Sequence, residues 1–223
     1  MIKKFLWFTI SSFLLFLVII IVEYKFNYIS LTFNTLRPLL LNGGGDECLK
    51  DLEEVGIKYT KLGTIKENKC VIKNAVKIQN FPKTNLSGPV LLSCSTAKKV
   101  SQFFDEIDAR NVKHMGTYNC RKMRGSDIMS EHSYGTAIDI SIIDGASIAN
   151  DWGKNTEKGL MLKNAYISAC SIFRNVLTPD SDKAHKNHFH IDTGMGIGCL
   201  PNWANKIKRE TITALNRFYL LIV

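Results

Sequence analysis

TAIDISII (136–143) alternates apolar residues with small or polar ones along its length. Ile138, Ile140 and Ile142 point one way. Ala137, Asp139 and Ser141 point the other, which is the two-residue period of a strand with one buried face. HFHID (188–192) repeats the pattern. Phe189 and Ile191 belong to the core side, and His188, His190 and Asp192 share the opposite face. Such strands, interleaved with helical stretches, predict an α+β domain: a small mixed or antiparallel sheet with flanking helices.

The same strands gather most of the histidine. The chain has 223 residues and five histidines. His185, His188 and His190 lie in AHKNHFHID (184–192), His132 lies in SEHSYGTAIDIS (130–141), and only His114 lies elsewhere. If the two strands are neighbours, His132 in the turn before the first can meet Asp139 and His190 at one point. Two imidazoles and a carboxylate suit a catalytic zinc ion, which keeps a further position for water and lowers that water's pKa towards 7. His188, on the same face as His190, can carry a proton or stabilise charge on an attacked carbonyl oxygen. His185, three residues upstream, can orient or assist it. The small residues of GTA (135–137) fit a place where backbone passes close to a site. Each motif alone is weak, since isolated H-x-H pairs are often surface histidines. Their coincidence on the polar faces of two strands carries the reading.

Further out, DECLKDLEEVGI (46–57) has helical spacing of Leu49, Leu52 and Val55, with Gly56 as a stop. KCVIKNAVKI (69–78) reads as a strand. STAKKVSQFFDEIDAR (95–110) opens on a serine cap and repeats Ala97, Val100, Phe103, Phe104 and Ile107 at helical spacing. NVKHMGTYNC (111–120) reads as a strand or strand pair. Residues 157–177 predict a helix burying Leu162, Tyr166, Cys170, Phe173 and Leu177, ended by Thr178-Pro179.

At the N-terminus, MIKK is followed by the uncharged run FLWFTISSFLLFLVIIIV (5–22). A membrane span needs roughly 17–25 apolar residues, and no small-x-small cleavage site follows. The expectation is a cytoplasmic stub (1–4), a single transmembrane signal anchor (5–23) and a linker (24–46) containing Gly43–Gly45. A folded domain (47–200) and a helical tail (201–223) follow. Lys3 and Lys4 orient the anchor with its N-terminus in the cytoplasm and the domain outside, at a bacterial inner membrane. All six cysteines (Cys48, Cys70, Cys94, Cys120, Cys170 and Cys199) lie beyond the anchor, and none is spaced C-x-x-C. That argues for three disulfides in an oxidising compartment and against a zinc ribbon or thioredoxin motif; the pairing stays open. The net charge is +9 with a pI near 9.2. A basic exported chain is drawn to anionic wall polymers or lipid headgroups. No basic stripe interleaved with aromatics points to nucleic acid.

The motifs also carry a resemblance. SEHSYGTAID (130–139) resembles the S-x-H-x-x-G-x-A-x-D pattern of D-alanyl-D-alanine metallopeptidases, and HKNHFH (185–190) the H-x-x-H-x-H arrangement of penicillin-insensitive murein endopeptidases. Both belong to the group that includes lysostaphin-type peptidases and hedgehog domains. From Cys48 to Asp192 the chain most resembles bacterial extensin-like C-terminal domains, in YNCR (118–121), the DG (144–145) and DW (151–152) pairs, A-C-x-x-F (169–173) and LTPD…AHKNHFHID (177–192). The resemblance implies zinc on His132, Asp139 and His190. It implies His188 as the catalytic or transition-state residue, His185 beside it, and Arg121 in contact with substrate or the polarised oxygen. Asn187 stands where the D-alanyl-D-alanine type places a glutamate base, which favours the murein-endopeptidase arrangement. The expected function is hydrolysis of peptidoglycan peptide bonds next to D-amino acids. The rivals from another class are a non-catalytic wall-binding or scaffold module that keeps the zinc, and a purely structural, disulfide-rich envelope domain without metal.

Overall fold

A computed structural model describes residues 34–195 continuously, with Cys199 and residues 16–18, 20–22, 25 and 31. The domain opens with helix α1 (Gly45–Glu54) and the hairpin β1 (Tyr59–Glu67) and β2 (Cys70–Ile78). Strands β3 (Asn85–Leu86) and β4 (Val90–Ser93) lead to helix α2 (Cys94–Glu106) and strand β5 (Asn111–Gly116). A long loop ends in a 3-10 turn (Glu131–Tyr134) and runs into β6 (Ala137–Ile143), β7 (Ala146–Ser147), α3 (Ile148–Asp151) and α4 (Glu157–Ile172). Strand β8 (Asn175–Leu177), a second 3-10 turn (Lys183–His185) and β9 (Phe189–Asp192) follow.

The two alternating stretches become β6 and β9, antiparallel neighbours. Ile138 stands opposite Ile191, Asp139 opposite His190, and Ile140 opposite Phe189. Because side chains alternate faces, this register sends Asp139 and His190 to one side and the isoleucines and Phe189 to the other. Ile138, Ile140, Phe189 and Ile191 are fully buried, in one core with Val100, Phe103 and Phe104 of α2 and Leu162, Ala165 and Ala169 of α4. Each such side chain contributes about 2 kcal/mol on burial, so a register slip would expose the whole set.

The strands make two sheets, where the sequence predicts one. β1, β2 and β4 form an antiparallel three-stranded sheet, and β3-β5-β6-β9-β8 form the second, with β7 on β6. Only β3–β5 is parallel there, so the second sheet is mixed. The split follows from the hairpin. Asn68 takes φ 51°, turning the chain in two residues and pairing β1 and β2 locally. The expected spanning helix over 5–23 is corrected too. A span requires one continuous apolar helix of about 20 residues, and among the described residues no helix is long and apolar enough to cross a membrane. Most of 5–23, and all of the expected tail 201–223, lie outside the described residues.

Smaller corrections have local causes. The cap of α2 is Ser93, whose Oγ accepts from the Thr96 amide at 3.3 Å, rather than Ser95. The helix expected to reach 177 stops at Ile172, because Phe173 is extended (φ −101°, ψ 159°) and residues 175–177 pair with β9. A register shift between Lys113 and His114 flips the phase of β6 near Ser141. Ile143 therefore takes the buried place expected for Ile142, which is only half-buried. Residues 34–40, read as linker, are helical, and Arg37 and Leu41 are buried.

Three disulfides join Cys48 to Cys94, Cys70 to Cys120 and Cys170 to Cys199. Loop-closure entropy gives a stabilisation of roughly 4 kcal/mol for loops of this length. Gly135 ends the first 3-10 turn at φ 62°. A Cβ there would meet Ile72 Cγ2 at 2.8 Å and the Ser93 amide nitrogen at 3.1 Å. Gly135→Ala is expected to cost about 1–3 kcal/mol in a denaturant melt with disulfides intact, from the positive φ and the clash together. An unchanged midpoint would contradict the packing described for this turn.

Candidate metal centre

His132, Asp139 and His190 come together from three elements: the 3-10 turn, β6 and β9. His132 Nε2 lies 3.1 Å from His190 Nδ1 and 3.2 Å from Asp139 Oδ2. His190 Nδ1 lies 2.8 Å from Asp139 Oδ1. Ligands on a tetrahedral zinc ion are separated by about 3.3 Å, so the spacing suits a shared cation. The two histidines are buried, and the Asp139 side chain is 17% exposed.

The surrounding hydrogen bonds fix which ring atoms face inward. His132 Nδ1 is 2.5 Å from the Thr117 carbonyl oxygen, an obligate acceptor, so Nδ1 carries the proton and Nε2 presents a lone pair. His190 Nε2 donates to Asp192 Oδ2 at 3.0 Å, which leaves Nδ1 facing the cluster. Asp192 is itself held: its Oδ1 accepts from Asn175 Nδ2 at 2.8 Å and from the Gly194 amide at 2.7 Å. Two imidazole lone pairs and a carboxylate thus converge. That arrangement is repulsive unless a positive charge sits among them. A backbone carbonyl or carboxylate behind each histidine is the usual support of a metal-ligating imidazole.

A proton can serve as that charge. Burial acts to lower the His190 pKa, but its hydrogen bonds to Asp139 and Asp192 outweigh this and raise it to about 9. Burial acts to raise the Asp139 pKa, and the His132 and His190 side chains beside it hold it well below the ordinary carboxylate range. A metal must displace the His190 proton, so acid opposes binding. The apparent affinity for a divalent cation, probed with zinc by competition with a chromophoric chelator, is expected to rise about tenfold per pH unit from pH 6 to 8. A pH-independent affinity would contradict this.

His188 borders the cluster, with Nε2 3.6 Å from Asp139 Oδ1. Its Nδ1 donates to Asn187 Oδ1 at 2.9 Å, so Nε2 is the free base. Burial lowers its pKa, opposed by Asp139 and aided by the charges of His185, His190 and His132. His185 packs on it, with ring centroids 5.1 Å apart, and stands 5.6 Å from the His190 ring. His185 Nδ1 donates to Asp182 Oδ1 at 2.8 Å. Arg121 is not brought into the cluster. It is exposed, and its Nη1 donates to the Lys122 carbonyl at 3.3 Å. Its backbone is fixed, the amide donating to Ser133 Oγ at 3.1 Å and the carbonyl accepting from the Ser130 amide at 3.0 Å.

The Thr117 carbonyl and Asn175, which complete the support of the two rings, carry no local sequence signal. A groove on the α4 side, lined by Ile143, Leu160, Met161 and Ile167, shares no residue with the cluster and contains no histidine.

The profile of one family, the extensin-like protein C-terminus, matches residues 46–199, and the whole centre lies within them. No curated protein and no solved structure matches the chain.

Proposed function

We propose that this chain, which belongs to the extensin-like protein C-terminus family, is a zinc-dependent peptidase. Its substrate would be peptidoglycan, cut at amide bonds next to D-amino acids. The observation that carries the reading is the convergence of the His132, Asp139 and His190 electron pairs with the His188 base beside them. The His132–Asp139 and H-x-x-H-x-H spacings resemble those of the D-alanyl-D-alanine metallopeptidases and murein endopeptidases, which supports that substrate class. Three disulfides support an oxidising compartment of the cell envelope. The charge of +9 suits an anionic wall polymer.

In this reading His132 Nε2, His190 Nδ1 and the Asp139 carboxylate hold the ion. Zinc held there supplies Lewis acidity, making water more acidic and a carbonyl more electrophilic. The protein supplies the rest. Asp192 and the Thr117 carbonyl orient the two ligating rings. His188, neutral at pH 7, takes a proton at Nε2 from the attacking water and returns it to the departing amine. Asn187 Oδ1 keeps that ring aimed. His185, oriented by Asp182, packs on the His188 ring and keeps it in place. Exposed Arg121 contacts the substrate rather than the ion.

The test is digestion. Zinc-loaded protein is incubated with purified peptidoglycan and with synthetic stem peptides, and new amino groups are counted by labelling and mass spectrometry. Release of new amines that depends on zinc supports the proposal. Binding of peptidoglycan by the zinc-loaded protein without any amine release would sink it in favour of a wall-binding module.

A further inference from the structure

Arg37 lies in the helical residues 34–40, ahead of the matched residues 46–199. It is 4% exposed, which is rare for a charged side chain. Its Nε donates to Glu131 Oε1 at 2.9 Å and its Nη2 to Glu131 Oε2 at 2.5 Å, a two-pronged pair across 94 positions. The guanidinium also lies 5.5 Å from the centre of the Tyr134 ring.

Glu131 connects two parts of the metal centre. On one side it immediately precedes His132 in the 3-10 turn. On the other, its carboxylate packs against Gly194, where an added Cβ would fall 2.4 Å from Oε1. Gly194 donates its amide to Asp192, the carboxylate that holds the His190 ring. Thr136 Oγ1 donates to Glu131 Oε2 at 2.6 Å, and the Thr193 amide donates to the Thr136 carbonyl at 3.0 Å. The carboxylate therefore sits where the turn of His132 meets the chain leaving β9.

The preceding segment is strapped down around this pair. Asn34 Nδ2 donates to the Asp127 carbonyl at 2.8 Å, and the Met129 amide donates to Asn34 Oδ1 at 2.9 Å. Leu41 is buried with Cys70, Met129 and Tyr134, and Ser95 Oγ donates to the Asn42 carbonyl. We infer that Arg37 is a positioning residue for the centre: through Glu131 it locks the His132 turn to the end of β9, so that residues 34–42 act as a strap completing the site. The consequence for metal binding rests on the zinc reading above; the locking of the turn does not. Without Arg37, a mostly buried carboxylate loses its counter-charge, and the turn must shift to hydrate it.

The test uses the full chain with Arg37→Met, Arg37→Lys, the double variant Arg37→Met/Glu131→Gln, and Leu52→Ala as a core control on α1. Two quantities are measured: zinc affinity by chelator competition, and amide exchange of Ser133, Gly135 and Thr136 in the metal-free protein. Arg37→Met is expected to weaken zinc at least tenfold and to speed exchange at those amides at least tenfold. Lysine keeps the charge but not the fork, so Arg37→Lys falls between. The double variant strands no charge and recovers part of the loss, and it decides the question if Arg37→Met does not fold. Leu52→Ala moves neither quantity beyond twofold. The inference is overturned if Arg37→Met stays within twofold of the parent in both, or if Leu52→Ala shifts them equally. A parent that binds no zinc defeats the zinc reading alone, and exchange then decides the positioning role.

Discussion

His188→Ala is expected to keep its zinc and lose peptide hydrolysis by about 10²- to 10⁴-fold, the usual contribution of a positioned acid–base group. The two halves of this expectation have separate origins. His188 does not enter the set of mutually close ligand atoms formed by His132, Asp139 and His190, so metal content should not change. Its Nε2 nevertheless points to within 3.6 Å of Asp139 Oδ1, where a proton would have to pass. Burial lowers its pKa, so the ring is a ready acceptor at neutral pH. The loss should fall on kcat more than on KM, because the proton moves only during the reaction. Loss of zinc together with activity would make His188 a ligand, and full activity would remove it from the chemistry.

Asp192→Asn is expected to weaken zinc by about 10- to 100-fold, the scale seen when the partner behind a ligating histidine is lost. Three donors meet the Asp192 carboxylate: His190 Nε2, Asn175 Nδ2 and the Gly194 amide. An asparagine has one oxygen where the carboxylate has two, so at least one donor faces an NH₂ group. Turned one way, it strands the His190 ring; turned the other, it strands Gly194 and Asn175. Either choice loosens the ring that presents Nδ1. Zinc titration of the purified variant reads the effect, and an affinity equal to the parent's would show that Asp192 does not hold the ligand.

The parts of this arrangement that could be read from the residues are those with a short period. Two-residue alternation put Asp139, His188 and His190 on polar strand faces, and the β6–β9 register brings Asp139 and His190 opposite each other. Contacts between distant positions left no such mark. Nothing near Arg37 in sequence announces Glu131, and the Thr117 carbonyl carries no side-chain signal at all. Strand β1 carries no alternation in its sequence because it is largely exposed on both faces. Residues 173–177 read as helix because Phe173 and Leu177 keep helical spacing, yet pairing with β9 outweighs that local preference. The apolar run at the start, whose length predicts a spanning helix, lies mostly outside the described residues. Among the described residues the segment nearest the domain carries Arg37 and packs on it.

The most direct test is the metal content of the oxidised full-length chain after zinc loading and gel filtration, measured by elemental analysis beside His190→Ala. One zinc ion per chain is expected in the parent, and zinc near background in His190→Ala. A parent that retains no stoichiometric zinc, or a His190→Ala variant that retains as much as the parent, would contradict this.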